Sequence, residues 1–489
     1  MRTLRVATET NLLAVLAMVD LGRRRLIQTL AGAAGALAAF PLLAAETHDL
    51  TIRGCRLIDP RQAIDAACDI AVTDGRVSAI GQGPFAAREV IDATGMIVAP
   101  GFVDLLADNP HNPRRTYPVI ERYKLADGVT TSLQCHGGSA DVGSYYETFS
   151  ALPHMTNHGV SSKIMRIRRR TRSQRRRLRL AERCLEQGAL AVSHSIEYQP
   201  TPFAELLRYG ELAARWGVPF FLHLRFSSRG QELEGVREAL HIGAETGCHM
   251  HLDHLHSTGA SWHMGEAIEL VEEALARGQQ VTACVYPYTN WATYVHSKRF
   301  GKGWRERYGL DFDDLAVVGT GERLTRGTFM HYRKRTFALV AVPEGTMSLE
   351  HTLLPALRRP WVMIASDGGI EREPRANNHP RGAGCFATAL ALARDHQIPL
   401  VEMIRKMTDL PASLLRSRAP GMELRGSLRR GDVADLVLFD PNEVAGRATV
   451  ENPNQLSAGI EMVMVGGKVA YRDGEFTDVR VGQPIQGKS

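Results

Sequence analysis

The chain has 489 residues, 44% hydrophobic and 23% charged, a globular composition that excludes a disordered, collagen-like or polytopic membrane protein. Its seven cysteines are odd in number and sparse, so no disulfide framework holds the fold. The formal charge of +6 is local: Lys163–Arg183 holds one Lys, ten Arg and one Glu, or +10, which leaves −4 for the rest. That distribution excludes a general nucleic-acid surface.

Residues 1–46 read as an address. Gly22-Arg23-Arg24-Arg25-Leu26-Ile27 precedes an Ala/Gly/Leu-rich run that ends near Ala44-Ala45-Glu46. Twin arginines, a weakly apolar stretch and small residues before the break describe a twin-arginine export signal. Its Ala and Gly content suits that route better than a membrane span. The expectation is a periplasmic or secreted protein with no stable membrane insertion after the signal is removed.

Residues 47–95 alternate apolar and polar and carry turn signals such as Thr73-Asp74-Gly75-Arg76, which predicts short β-strands. Residues 96–418 follow a different grammar. From residue 180 onward an amphipathic helix, a glycine stop, an apolar strand and a polar strand end repeat. The stops are Gly188, Gly217, Gly247 and Gly278; the strand ends are His194, His223, His254 and Tyr286, spaced 29, 31 and 32 residues apart. That is about one βα unit. Ile97–Asp104, Thr130–Cys135, Val160–Ile167 and Trp361–Ser366 complete eight strands, the number that closes a parallel barrel. The fold class is therefore α/β: a (β/α)8 TIM-like barrel, whose chemistry belongs at the C-terminal strand ends. Between about 289 and 350 the grammar breaks, and an insertion of that length reads as a lid. Residues 419–489 return to β-patterning, so both termini are expected to pair into one small β-sandwich.

The quoted strand ends sit within a larger set of motifs. These include Ala99-Pro100-Gly101-Phe102-Val103-Asp104, Gly128-Val129-Thr130-Thr131, Ile196-Glu197-Tyr198, His223-Leu224-Arg225 and His254-Leu255. Tyr286-Pro287-Tyr288-Thr289, Ser366-Asp367-Gly368, His379-Pro380-Arg381 and Ala434–Phe439 follow in the same order along the chain. Together they resemble the amidohydrolase superfamily, closest to the N-acyl-D-amino-acid deacylases (D-aminoacylase and N-acyl-D-glutamate deacylase). The resemblance implies a zinc-dependent hydrolase of non-peptide C–N amide bonds acting on N-acyl-D-amino acids. It implies one zinc per chain, with His223 and His254 as ligands and Asp367 as the catalytic acid/base. Where the family carries His-x-His after the first strand, this chain has Leu106 and Asp108; leucine cannot ligate, whereas Asp108 offers an oxygen. A further ligand comes from Cys135 or His136, with His136 preferred. Arg381, Tyr286, His256, Arg225 and Tyr198 fall where the substrate, a small molecule bearing a carboxylate, is held. Two rival functions stay open at this point: hydrolysis of cyclic amides or dipeptides, and a degenerate periplasmic binding protein. The arginine run reads as a solvated helix face that could also concentrate an anionic substrate or touch an anionic membrane surface.

Overall fold

The computed structural model describes residues 47–107, 113–335, 338–371, 373 and 378–488. The segment read as an export signal and Asp108 therefore lie outside the described residues. From His48 onward the chain forms one compact unit.

Its centre is an eight-stranded parallel sheet taken in chain order: β1 (Phe102–Asp104), β2 (Val129–Ser139), β3 (Asn157–Lys163), β4 (Val192–Ser195), β5 (Phe220–His223), β6 (Met250–Leu252), β7 (Val281–Val285) and β8 (Val362–Ile364). Helices return the chain between successive strands, as the repeated grammar predicts. Gly217 and Gly247 end two of them in the left-handed conformation, at φ 59° and 69°, which a residue without Cβ adopts at little cost. Inward residues such as Val103, Leu133, Phe221, Cys284 and Met363 fill the barrel, while a larger apolar layer joins strands to helices.

The seam between β1 and β8 is held by side chains. Asp104 accepts from Ser366 N at 3.0 Å and Ser366 Oγ at 2.6 Å, and Lys124 Nζ lies 2.9 Å from the same carboxylate. All three residues are buried. This cluster ties the first strand to the residue directly before Asp367.

The expected first strand, Ile97–Asp104, divides in two. Ile97–Pro100 pairs with Leu436–Phe439, whereas Phe102–Asp104 enters the barrel. Gly101 makes the step, since a Cβ there would stand 2.2 Å from Thr130 Oγ1. The two termini do pair, into one continuous nine-stranded sheet. Its long first strand, His48–Asp59, shifts register between Ile52 and Cys55; its first half pairs with Ala87–Asp92 and its second with Ile97–Pro100. The expected third strand, Val160–Ile167, starts and stops earlier, because Ile164 already begins a helix.

The insertion between β7 and β8 contains a three-stranded antiparallel sheet, Ala292–Tyr294, Ala316–Val317 and Leu339–Ala341, with short helices. Among the described residues no helix is long and apolar enough to cross a membrane.

Candidate active site

At the C-terminal ends of the strands, His136, His223 and His254 bring three ring nitrogens within 4.8 Å of one another. They line a cavity of about 270 Å³ together with Tyr198, Asp367, His379 and Arg381. The insertion contributes Ala292, Thr293, Tyr294 and Leu339 to the same lining.

Each histidine arrives by a different local device. His223 closes β5. His254 follows β6 with φ 33°, and Asp367 follows β8 with φ 47°. Positive φ is uncommon outside glycine, and at these two strand ends it coincides with residues facing the cavity. His136 depends on a bulge: the β2–β3 register shifts between Gln134 and Ser139. Simple alternation along β2 could not reveal this. The bulge turns the imidazole of His136 into the cavity, while Cys135 stays buried in the barrel interior with Leu133 and Phe221. Of the two alternatives, the structure thus brings His136 to the other imidazoles and leaves the Cys135 thiol outside that group.

The hydrogen bonds around the rings define what they can hold. His136 Nδ1 lies 2.7 Å from Asp253 Oδ2, and His223 Nε2 lies 2.9 Å from Glu197 Oε2. An ionised carboxylate only accepts, so these ring nitrogens carry the hydrogens. Thr258 donates its hydroxyl to Asp253 O and can accept from His254 Nδ1 at 3.3 Å. The remaining nitrogens of neutral rings are bare lone pairs, and His223 Nδ1 stands only 3.1 Å from His254 Nε2. Burial pushes the His136 and His254 imidazoles well below their ordinary range. Converging neutral nitrogens of this kind fit a borderline cation such as zinc.

Acidic and basic neighbours fix the surround. Asp367 lies 3.6 Å from His254 Nε2 and 4.0 Å from His136 Nε2, and Arg381 reaches its Oδ2 at 2.7 Å. Burial opposes ionisation of Glu197, yet the Arg299 guanidinium and the His223 and Ser227 hydrogen bonds hold it at about 2. Lys163, buried at the end of β3, donates to His136 O and reaches Ser195 Oγ at 3.0 Å. Burial pushes the Asp253 carboxyl upward, and the nearby Lys163 charge opposes that shift.

The expected substrate residues fall in three places. Arg381 and Tyr198 line the cavity. Tyr286 and His256 pack behind it: the Arg381 guanidinium lies over the Tyr286 ring at 4.4 Å, and His256 meets the same ring edge-on at 4.2 Å. Arg225 grips Glu238 at 2.7 Å and lines a separate cavity with Ser227 and Arg299. The strand-end residue His194 is also turned away, bonded to Thr201 Oγ1 at 2.8 Å. Asp253, Lys163 and Arg299 were missed from the sequence. Only Asp253 carried a signal, standing two residues after His251 in the apolar run Cys248–Asp253.

A barrel of eight parallel strands, joined to a terminal sheet and carrying a histidine cluster with an aspartate after the last strand, is the arrangement that the amidohydrolase resemblance implies. Within that class the chain is homologous to the N-acyl-D-amino-acid deacylases, and the resemblance carried by the sequence motifs is borne out. No protein-family model matches the chain. It is 28% identical to a D-aminoacylase of Alcaligenes xylosoxydans xylosoxydans, over 90% of this chain and 98% of that one. It is likewise 28% identical to an N-acyl-D-glutamate deacylase of the same organism, over 87% and 94%. The crystal structure of an N-acyl-D-glutamate deacylase from Bordetella bronchiseptica, complexed with zinc and a phosphonate inhibitor, superposes with a TM-score of 0.76 at 26% identity. That match covers 90% of this chain and all of the other.

Proposed function

We propose that the protein is a zinc-dependent amidohydrolase that deacylates N-acyl-D-amino acids, with one zinc held by His136, His223 and His254. The observation that carries this reading is the convergence of three ring nitrogens, from half-buried His136 and buried His223 and His254, beside Asp367 and Arg381 in one cavity. Zinc bound by these residues would supply Lewis acidity for an amide carbonyl and for water.

The chain's own residues do the rest. Asp367 is placed to take the proton of the attacking water and deliver it to the leaving nitrogen. Arg381 lines the cavity with its guanidinium stacked over the Tyr286 ring. It contacts Asp367 at 2.7 Å, so a substrate carboxylate arriving there shares the guanidinium with the catalytic aspartate. Glu197 and Asp253 hold His223 and His136 in the tautomers that leave the inward nitrogens free.

The deacylase relatives support this reading over a binding protein or an enzyme of cyclic amides. The twin-arginine segment supports export to the periplasm. A panel of N-acetyl-D-amino acids, their L-enantiomers and cyclic amides tests the substrate class. Turnover of D-substrates well above L-substrates is expected; preference for a cyclic amide would overturn it.

A further inference from the structure

Below the three imidazoles the barrel holds a second group of ligand-type side chains. His251 lies on β6 and Asp253 directly follows its last residue, while Cys284 lies on β7 next to Ala283, the partner of Leu252. All three are buried, and they bring a ring nitrogen, a carboxylate oxygen and a sulfur within 4.8 Å of one another.

Two of these groups each keep one buried polar atom without a hydrogen bond. Asp253 gives Oδ2 to His136, and its buried Oδ1 has no hydrogen bond. His251 Nδ1 meets Thr282 Oγ1 at 2.9 Å, while its buried Nε2 has none. The Thr282 hydroxyl can donate to His249 Nε2 at 3.0 Å and so accept from His251 Nδ1–H, which leaves Nε2 as a lone pair. Leaving a carboxylate oxygen and an imidazole nitrogen buried without partners is costly unless a bound group satisfies them. The third member is a sulfur that receives the backbone N–H of His254 at 3.2 Å. Hydrogen bonds to sulfur are a usual support of metal-bound thiolate.

We propose that His251, Asp253 and Cys284 form a second metal site, deeper than the three-histidine cluster, which takes a borderline divalent cation of the zinc type. Carboxylate and thiolate together neutralise its two charges, and the displaced thiol proton leaves to solvent with no redox change. The mixed nitrogen, oxygen and sulfur set excludes magnesium and calcium, which select oxygen ligands. Asp253 then joins the two sites: one oxygen orients His136, and the other ligates the deep ion. The site stands on its own donors and does not rest on the deacylase reading.

Zinc-edge X-ray absorption with metal analysis on the zinc-loaded full chain tests it without any substrate. Two zinc ions per chain are expected, with a sulfur scatterer at about 2.3 Å. The sulfur shell persists in Cys135→Ala and disappears in Cys284→Ala along with one zinc. His223→Ala loses the other zinc and keeps the sulfur. If Cys284→Ala does not fold, Cys284→Ser is expected to replace sulfur by oxygen in the same shell. A shell of nitrogen and oxygen alone in the unaltered chain would overturn the proposal and assign the space to an ordered water. So would one zinc per chain, or a sulfur shell that vanishes with Cys135→Ala.

Discussion

Replacing Lys124 by Met cuts one side of the buried cluster that closes the barrel between β1 and β8. Asp104 and Lys124 are 0% and 1% exposed, and the pair sits at 2.9 Å. Asp104 keeps its bonds from Ser366 and from Leu106 N at 3.1 Å, but its charge loses the compensating ammonium. Breaking a buried pair by removing one partner costs about 3–5 kcal/mol. Unfolding entropy of about 2.1 cal/mol/K per residue turns that into a fall of roughly 3–5 °C in Tm for a chain of this length. Because Ser366 precedes Asp367, activity should fall further than stability accounts for. The assay is thermal unfolding of Lys124→Met, Asp104→Leu and the double variant, each also assayed for turnover. The double variant should recover part of the loss, since no charge is then left unpaired. A Tm within about 1 °C of the parent for Lys124→Met would refute the role given to this cluster.

Three further outcomes follow. Asp367→Asn should lower turnover by about 10²–10⁴-fold with zinc content unchanged; full turnover would remove Asp367 from the chemistry. Asp253→Ala should weaken zinc binding at the histidine cluster by about 10–100-fold, read by competition with a chelator, and an unchanged affinity would contradict its hold on His136. Lys406 is buried, donates to Arg359 O and Val362 O, and its ammonium is pushed down to about 7 by burial. The unfolded chain binds that proton up to the ordinary lysine range. Stability should therefore rise with pH between about 7 and 10 by up to about 1.4 kcal/mol per unit. Lys406→Met should flatten that rise, and an unaltered slope in urea unfolding would count against the shift.

Much of the architecture was legible because a βα barrel repeats itself. Periodic helices, glycine stops and apolar strands located all eight strands, and strand ends drew attention to His223, His254 and Asp367. What escaped depended on neighbours distant in sequence. The division at Gly101 reflects its contact with Thr130, and the orientation of His136 follows from a bulge that alternation does not foresee. Arg225 follows a ligand-type histidine but finds Glu238 on the next helix, an ion pair that only the folded chain makes visible. Lys163 sat inside an arginine-rich run whose charge suggested solvent, yet it turns inward to His136 O and Ser195 while exposed arginines follow it.

The most direct test is to strip the full chain of metal and follow N-acetyl-D-amino-acid hydrolysis as zinc is returned, beside His223→Ala. The account predicts no turnover in the stripped chain, recovery as zinc is added, and no recovery in the variant. Full turnover without metal, or equal recovery in His223→Ala, would contradict it.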